Sequence, residues 1–218
     1  MAIPKIIHQT FKTSNLPFIT RWHIARFRKK NPEYAYEFYD DARIEEFIQL
    51  EFGQDTFKLY KKLNIGAAKA DFFRYALLYK KGGVYVDIDS GINTSLEEFI
   101  VPDDSAIITR EGNPSLFVQW ALIYSPEHPF LKKTIEMVME NIRWNKYPND
   151  VHQMTGPTVY TQAIQECLKN DPTIPYRILG TDYNGYLKVK YKLGKFFLYE
   201  KGDHWKKQQL STTVLKPD

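Results

Sequence analysis

The sequence has a single cysteine and lacks any long apolar run. With Cys167 alone, no intramolecular disulfide can form, which fits a reducing compartment and favours a cytoplasmic location. A membrane-spanning helix needs about 18 or more consecutive apolar residues, and the sequence contains no such run. Its first ten residues also lack a signal-peptide pattern, because proline, lysine, histidine and glutamine interrupt them. We therefore expect no transmembrane segment.

Charge of one sign is not in large excess either. Thirty Lys and Arg face 26 Asp and Glu, which gives a net charge of +4. The longest basic cluster, Arg26–Lys30, is interrupted by Phe27, and the solvated face of a helix explains it better than a nucleic-acid surface. We therefore expect no nucleic-acid partner. The mild positive balance does suit a ligand that carries a diphosphate.

The chain is long enough for one domain with a substantial core, since 43% of its 218 residues are hydrophobic. Alternating apolar patterns predict strands and helices in turn, which is typical of an α/β fold with a mainly parallel sheet. Asp41 is the expected N-cap of one of these helices. Strands are predicted at Ile3–Thr10, Tyr34–Tyr39 and Val84–Asp89, and helices at Pro17–Lys30, Ala42–Leu50 and Asp55–Leu63; a further helix begins at Gly66, and Gly82 and Gly83 end it.

The strand that follows this glycine pair ends in two acids. Apolar residues alternate there with Tyr85, Asp87 and Asp89, so both carboxylates are expected on one face, with Cα atoms about 6–7 Å apart. Buried carboxylates need partners, and oxygen ligands suit Mg²⁺ or Mn²⁺. The alternative for a bare Asp-x-Asp is a strand that runs out into a polar turn at Ser90-Gly91.

The helix before the strand carries a second charged feature. Asp71 and Arg74 lie three residues apart on one side of an otherwise apolar helix. They form either a local ion pair or part of a site beside the acidic strand end, and the two interpretations are compatible.

The run from Ala68 to Asp89 resembles the signature of the family 32 glycosyltransferases, which carry an Asp-x-Asp motif and include initiating mannosyltransferases and capsular-polysaccharide enzymes. In that family a small residue, Lys, Ser or Ala, Asp, two apolar residues and Arg-Tyr precede an apolar run, Gly-Gly, an aromatic residue and Asp-x-Asp. The chain matches this pattern over more than twenty positions without a gap. Pro4–Thr10 is similar to the beginning of the family's domain, and Gln119-Trp120 resembles its mannosyltransferase branch.

The resemblance implies a fold and a division of the chain into two functional halves. It implies a single GT-A domain over residues 1–218, a Rossmann-like α/β fold with a mainly parallel central sheet flanked by helices. Residues 1–92 would form the nucleotide-binding half and residues 93–218 the acceptor-side half.

The resemblance also assigns site residues. Ligands of open α/β sheets bind beyond the carboxyl ends of strands, where the first strand places its last residues, although His8 is equally well explained as a structural histidine. Thr155, Gly156 and Pro157 would line the acceptor side, although Gly-Pro is also a plain helix start. His204 would join Asp87 and Asp89 at the metal, although the Ser-Trp of the family's element is absent here. The expected donor-binding residues are His8, Gln9, Thr10, Phe11, Asp71, Arg74, Tyr85 and Asp87.

The implied function is metal-dependent hexose transfer in polysaccharide biosynthesis. A nucleotide-diphosphate sugar would be the donor, with UDP favoured and GDP-mannose the alternative, and a glycan or another hydroxyl compound the acceptor. Asp87 and Asp89 would be catalytic through Mn²⁺ or Mg²⁺. Two other functions fit less of the sequence: a non-catalytic nucleotide-sugar-binding domain, and a haloacid-dehalogenase-like phosphatase in which Asp87 is the nucleophile. No residue in the sequence decides between retention and inversion of the sugar's configuration.

Overall fold

The computed structural model describes residues 2–191, 198 and 205–217. A six-stranded sheet lies at its centre, in the order β2-β1-β3-β6-β5-β7, and a separate two-stranded ribbon pairs β4 with β8. The strands are β1 (Ile6–Thr10), β2 (Ala35–Tyr39), β3 (Gly83–Val86), β4 (Gly91–Ile92), β5 (Ala106–Thr109), β6 (Ala121–Tyr124), β7 (Arg177–Leu179) and β8 (Leu187–Lys188).

Five of the six central strands point in the same direction. β1 is parallel to both of its neighbours, β2 and β3, and β5 is parallel to β7. Only β6 runs the other way, antiparallel to β3 and to β5. The predicted α/β fold with a mainly parallel sheet is therefore confirmed.

Helices cover both faces of the sheet. The described helices are α1 (Phe18–Lys30), α2 (Asp41–Lys62), α3 (Gly66–Lys81), α4 (Pro129–Arg143), α5 (Val151–Met154), α6 (Pro157–Asn170) and α7 (Trp205–Ser211). The alternation along β3 separates two hydrophobic cores: Tyr85 packs with residues of α2 to α6 on one face, and Val84 and Val86 pack with α1 on the other. None of the described helices is both long and apolar enough to cross a bilayer.

The region after β2 differs from the sequence-based prediction in two ways. The two expected helices are one helix, α2, which bends at Gly53, where φ is +76°. Its N-cap is Asp40 and not Asp41, because the Asp40 carboxylate accepts the backbone N–H of Arg43 at 3.0 Å. A pair of adjacent acids offers two candidate caps, and the extended backbone of Asp40 is the one that suits the position.

The acidic motif is also arranged differently. β3 ends at Val86, so Asp87 and Asp89 lie beyond the strand and not on one of its faces. The chain turns at this point, with the Ser90 N–H donating to the Asp87 carbonyl at 2.9 Å. We call residues 87–90 the acidic turn. The neighbouring strand holds its first residue: the Asp87 N–H donates to the Trp120 carbonyl at 2.9 Å, directly beyond the last pair of β3 and β6, Val86 and Ala121.

Candidate active site

The glycine pair fixes where α3 and β3 meet. Gly82 ends α3 with φ +63°, and Gly83 opens β3 with φ +102°. A Cβ at Gly83 would lie 2.7 Å from the Ile6 carbonyl oxygen, so no larger residue fits there. This close connection between helix and strand lays the polar side of α3 against the acidic turn.

Arg74 is the centre of the polar network. Its side chain is only 5% exposed, and one guanidinium nitrogen contacts Asp87 Oδ1 at 3.0 Å and Asp71 Oδ1 at 3.4 Å. The other two nitrogens donate to the carbonyls of Ala70 and Gln119. Burial opposes the charged form, but the carboxylate of Asp87 and its neighbours outweigh it and raise the pKa of Arg74. The guanidinium is therefore a fixed positive charge behind the acidic turn.

Asp71 is held by polar groups from distant segments. Gln119 Nε2 donates to Asp71 Oδ1 at 2.7 Å, and Thr155 Oγ1 donates to Oδ2 at 2.9 Å. Tyr75 completes the cluster, since its hydroxyl accepts from Gln119 Nε2 and donates to the Thr155 carbonyl. Both oxygens of Asp71 are thus engaged inside the protein, so the residue anchors Arg74 and Gln119.

Asp87 has one engaged oxygen and one available oxygen. Oδ1 accepts from Arg74 and from the Tyr85 hydroxyl, at 3.0 and 3.1 Å. Oδ2 has no partner among the residues that the structure describes, and the side chain is 29% exposed. Burial raises the pKa of Asp87 to about 6, against the opposing charge of Arg74. A cation at the available oxygen would relieve this penalty.

Asp89 stands at the other end of the acidic turn. The residue is 7% exposed, and burial raises its pKa, which the positive charge of Lys190 partly offsets. Its backbone carbonyl accepts the N–H of Tyr191 at 3.1 Å, and the Ser90 hydroxyl donates to the Val189 carbonyl. Segment 189–191 therefore fixes the turn from outside.

Among the residues at the end of β1, Gln9 contacts the acidic turn, whereas Thr10 and His8 form hydrogen bonds elsewhere. Gln9 Nε2 donates to the Asp87 carbonyl, so Gln9 positions the acidic turn. Thr10 donates to the Tyr39 carbonyl, and Phe11 lies directly after the strand. His8 is fully buried, with Nε2 3.0 Å from the Gly82 carbonyl, and Nδ1 has no hydrogen-bond partner among the described residues. The structure thus places the side chain of His8 in the interior, and its contact with the donor stays a prediction.

The segment expected at the acceptor joins the network from behind. Thr155 is fully buried on Asp71. Gly156 is the N-cap of α6, where a Cβ would lie 2.9 Å from the Cα of His152, and Pro157 is buried at the first position of that helix. The three residues therefore lie next to the Arg74 network, and the acceptor contact itself stays a prediction.

The carboxylate ligands at the acidic turn suit a hard divalent cation. Two carboxylates with raised pKa values are brought together by one tight turn, and carboxylate oxygens are the ligands that Mg²⁺ and Mn²⁺ prefer. Within the described part of the chain, no cluster of three or more His, Cys, Asp or Glu side chains could hold a metal. His204, the predicted third ligand, lies outside the described residues.

Three participants had no role assigned from the sequence. Gln119 bridges Asp71 and Arg74, Tyr75 supports Gln119, and Tyr191 holds the carbonyl of Asp89. The family pattern around Gln119 drew attention to that residue but gave it no function. For Tyr75 and Tyr191 no local signal existed, because their partners lie far away in the sequence.

The sequence of the chain is similar to those of known glycosyltransferases. Residues 20–111 match the family model described as "Glycosyltransferase sugar-binding region containing DXD motif". An uncharacterized glycosyltransferase of Acanthamoeba polyphaga mimivirus is 31% identical over 188 residues, which are 83% of this chain and 72% of that protein. A mannosyl phosphorylinositol ceramide synthase of Saccharomyces cerevisiae is 30% identical over 93% of this chain. The chain spans only 53% of that yeast relative's length.

A solved structure supports the fold. The "PaToxG Glycosyltransferase" superposes with a TM-score of 0.60 and 22% identity, over 78% of this chain and 70% of that one. The predicted GT-A fold is thereby confirmed. Together with the matches in sequence, this shows that the chain belongs to family 32 of the DXD-motif glycosyltransferases.

Proposed function

We propose that the chain transfers a hexose from a nucleotide-diphosphate sugar to a hydroxyl group of a glycan or another acceptor, and that it needs Mn²⁺ or Mg²⁺. The observation that supports this proposal most directly is that only one of the two carboxylate oxygens of Asp87 is engaged within the described protein. Arg74 and Tyr85 fix one of its oxygens, while the other is available beside Asp89. A family 32 glycosyltransferase has one evident use for two such carboxylates, which is to hold a metal-bound diphosphate.

Asp89 and the available oxygen of Asp87 would hold the metal. A divalent ion bound there supplies charge neutralisation for the nucleoside diphosphate as it leaves the sugar. Arg74 does not need to touch the donor for this purpose, since all its nitrogens are engaged within the protein. It keeps the Asp87 carboxylate ionised and fixed in direction, which preorganises the site.

The transferred sugar would be placed by the same rigid network. Asp71 was predicted to bind sugar hydroxyls, but its two oxygens are already occupied by Gln119 and Thr155. We therefore assign Asp71 and Arg74 to positioning and leave contact with the sugar to the exposed edge of Asp87. Fixing the donor relative to the acceptor lowers the entropic part of the barrier.

Mannose is the hexose that we propose. The support is the yeast relative, a mannosyl phosphorylinositol ceramide synthase by name, which is 30% identical over nearly the whole chain. The nucleotide base of the donor can be identified by measuring how strongly each candidate nucleotide sugar stabilises the protein. Thermal unfolding with Mn²⁺ and each of UDP-glucose, UDP-galactose and GDP-mannose should show the largest stabilisation with the true donor. Stabilisation by a UDP-hexose and not by GDP-mannose would overturn the choice of mannose.

Two remaining sequence-based expectations stay proposals. The acceptor is proposed, as predicted, to be a glycan or another hydroxyl compound, and the contact of the buried residues Thr155, Gly156 and Pro157 with it stays a prediction. The cytoplasmic location, expected from the single cysteine, stays a prediction. The phosphatase alternative is set aside, because the chain belongs to a glycosyltransferase family.

The test uses turnover of the nucleotide sugar by the purified chain. With Mn²⁺ and the stabilising donor, release of nucleoside diphosphate should occur, and chelation of the metal should stop it. Asp89→Ala should abolish turnover and keep the melting temperature within a few degrees of the wild type. The matched control is Asp103→Ala, an exposed acid away from the acidic turn, which should retain turnover. Metal-dependent turnover that survives Asp89→Ala would remove the assignment.

A further inference from the structure

Helix α1 presents an exposed face of unusual composition. Phe18 and Trp22 lie one turn apart and are 75% and 46% exposed, far more than is usual for such large apolar side chains. The helix also contains five basic residues and no acid. We call its exposed side chains the α1 face; they are Phe18, Arg21, Trp22, Ala25, Arg26, Arg28, Lys29 and Lys30.

The arrangement on this face is ordered. At 3.6 residues per turn, Phe18, Trp22 and Lys29 fall along the outward line of the helix. Arg26 lies to one side, with its guanidinium 5.6 Å from the centre of the Trp22 ring, and Arg28 lies to the other, over Tyr36. Two aromatic rings at the outward centre are thus surrounded by cationic groups.

The basic side chains of α1 form no close ion pairs with the described residues, although hydrogen bonds to its carboxylate and, after them, the charge of Lys30 lower the pKa of Glu98. Among the residues that the structure describes, no carboxylate lies within 4 Å of any basic side chain of α1. Lys30 donates instead to the Asn93 carbonyl. Lys188, in β8, adds a further positive charge close to His23 of α1. A partner with negative charge spread over a surface would complement this region.

The buried side of α1 is joined to the acidic turn. His23 stacks on the ring of Tyr191 with a centroid distance of 3.9 Å, and the Tyr191 hydroxyl donates to Thr20. The backbone N–H of Tyr191 in turn donates to the carbonyl of Asp89. One residue, Tyr191, therefore connects α1 to the candidate site.

We propose that the α1 face docks on the surface of a lipid bilayer that contains anionic lipids. Helices that lie in a membrane interface combine a basic face with tryptophan, phenylalanine or leucine, and aromatic rings settle at the level of the head groups. Phe18 and Trp22 enter the interface, while the arginines and lysines around them contact anionic head groups. Docking holds the acidic turn at the membrane surface, where an acceptor carried by a lipid becomes accessible.

The test is flotation of the full chain with vesicles. The wild type should float with vesicles of phosphatidylcholine and phosphatidylserine, should not float with phosphatidylcholine alone, and should dissociate as the salt concentration rises. Two variants separate the contributions: Phe18→Ser/Trp22→Ser removes the aromatic rings, and Arg26→Glu/Lys29→Glu reverses the charge. Because all four side chains are exposed, both should fold, and each should lower the bound fraction by about tenfold.

The matched control lies on the opposite side of the sheet. Trp144→Ser/Lys132→Glu removes an exposed tryptophan and reverses an exposed lysine on or next to α4, and should float like the wild type. Equal loss in this control, equal binding to neutral vesicles, or full binding by both α1 variants would overturn the proposal. Failure of the wild type to float, together with retention of labelled duplex DNA, would instead identify a nucleic-acid surface. Nucleotide-sugar turnover is scored separately, so loss of flotation with intact turnover leaves the proposed function untouched.

Discussion

Replacement of Arg74 by methionine should destabilise the protein strongly, because it leaves two carboxylates without their counter-charge. The Asp71 side chain is 8% exposed and that of Asp87 is 29% exposed, so water compensates the second far better than the first. Removal of one partner of a buried ion pair costs about 3–5 kcal/mol. We expect about 3 kcal/mol for Arg74→Met, since one of its two partners is partly solvated. In a chain of this size that loss lowers the melting temperature by about 6–12 °C.

The ion-pair explanation is separated from simple loss of packing by a second substitution. Asp87→Asn removes one of the two stranded charges, so Arg74→Met/Asp87→Asn should be more stable than the sum of the single losses by about 1–3 kcal/mol. The matched control is Lys146→Met, because Lys146 pairs with Glu140 at 2.8 Å and both side chains are exposed, at 38% and 54%. An exposed pair contributes about 1 kcal/mol or less.

Urea unfolding followed by circular dichroism measures the five free energies of unfolding, those of the wild type, the two single variants, the double variant and the control. The reasoning is refuted if Arg74→Met lies within about 1 kcal/mol of the wild type, or if the two losses simply add. Activity provides an independent reading: Lys146→Met should keep its turnover with the nucleotide sugar, whereas Arg74→Met should lose it even at a temperature where the variant is folded.

Three further predictions concern the support of the site. Gly83→Ala should cost about 1–3 kcal/mol in unfolding free energy, because of its positive φ and the nearby carbonyl, while Gly112→Ala, with no atom within 4 Å of its Cβ, should be neutral in the same urea titration. Thr155→Val should cost about 1–3 kcal/mol, since it leaves a buried oxygen of Asp71 without its donor, and an unchanged urea midpoint would contradict this. Burial lowers the pKa of His8 from 6.5 to about 4, so the unfolded chain binds more protons in that window and stability falls as the pH drops through it. His8→Gln should remove about 3 kcal/mol of this pH dependence between pH 6.5 and 4, and identical slopes for variant and wild type would exclude His8 as its source.

Local patterns predicted what local forces decide. The alternation around Val84 and Tyr85 gave the strand and its two faces, and the spacing of Asp71 and Arg74 gave their contact on α3. Both depend on the geometry of a single element, which the sequence specifies directly.

The sequence did not reveal the features that depend on contacts between residues far apart in the chain. The same alternation predicted a strand through Asp89, but the chain turns after Asp87, where the Asp87 carbonyl accepts from the Ser90 N–H and from Gln9. The partners of Asp71 lie 48 and 84 residues away, so no spacing rule points to Gln119 or Thr155. β4 and β8 have two residues each, too few for any periodicity.

The burial of His8 shows the limit of a placement argument. A residue near the carboxyl end of a parallel strand is expected at the ligand edge. The glycine pair brings the Gly82 carbonyl directly onto the ring, and Tyr39 packs 6.0 Å from it, which closes that position to a ligand. The position of His8 in the sheet was predicted correctly. Its contact with the Gly82 carbonyl was not, because that carbonyl belongs to the connection between α3 and β3.

Anomalous diffraction at the manganese edge, from a crystal that contains Mn²⁺ and the stabilising nucleoside diphosphate, tests the central claim most directly. The account predicts one strong manganese peak bound to the carboxylate of Asp89, with Asp87 in direct or water-mediated contact and the diphosphate on the same ion. A bound nucleotide whose manganese lies away from the acidic turn, or that binds there without any metal, would contradict the account.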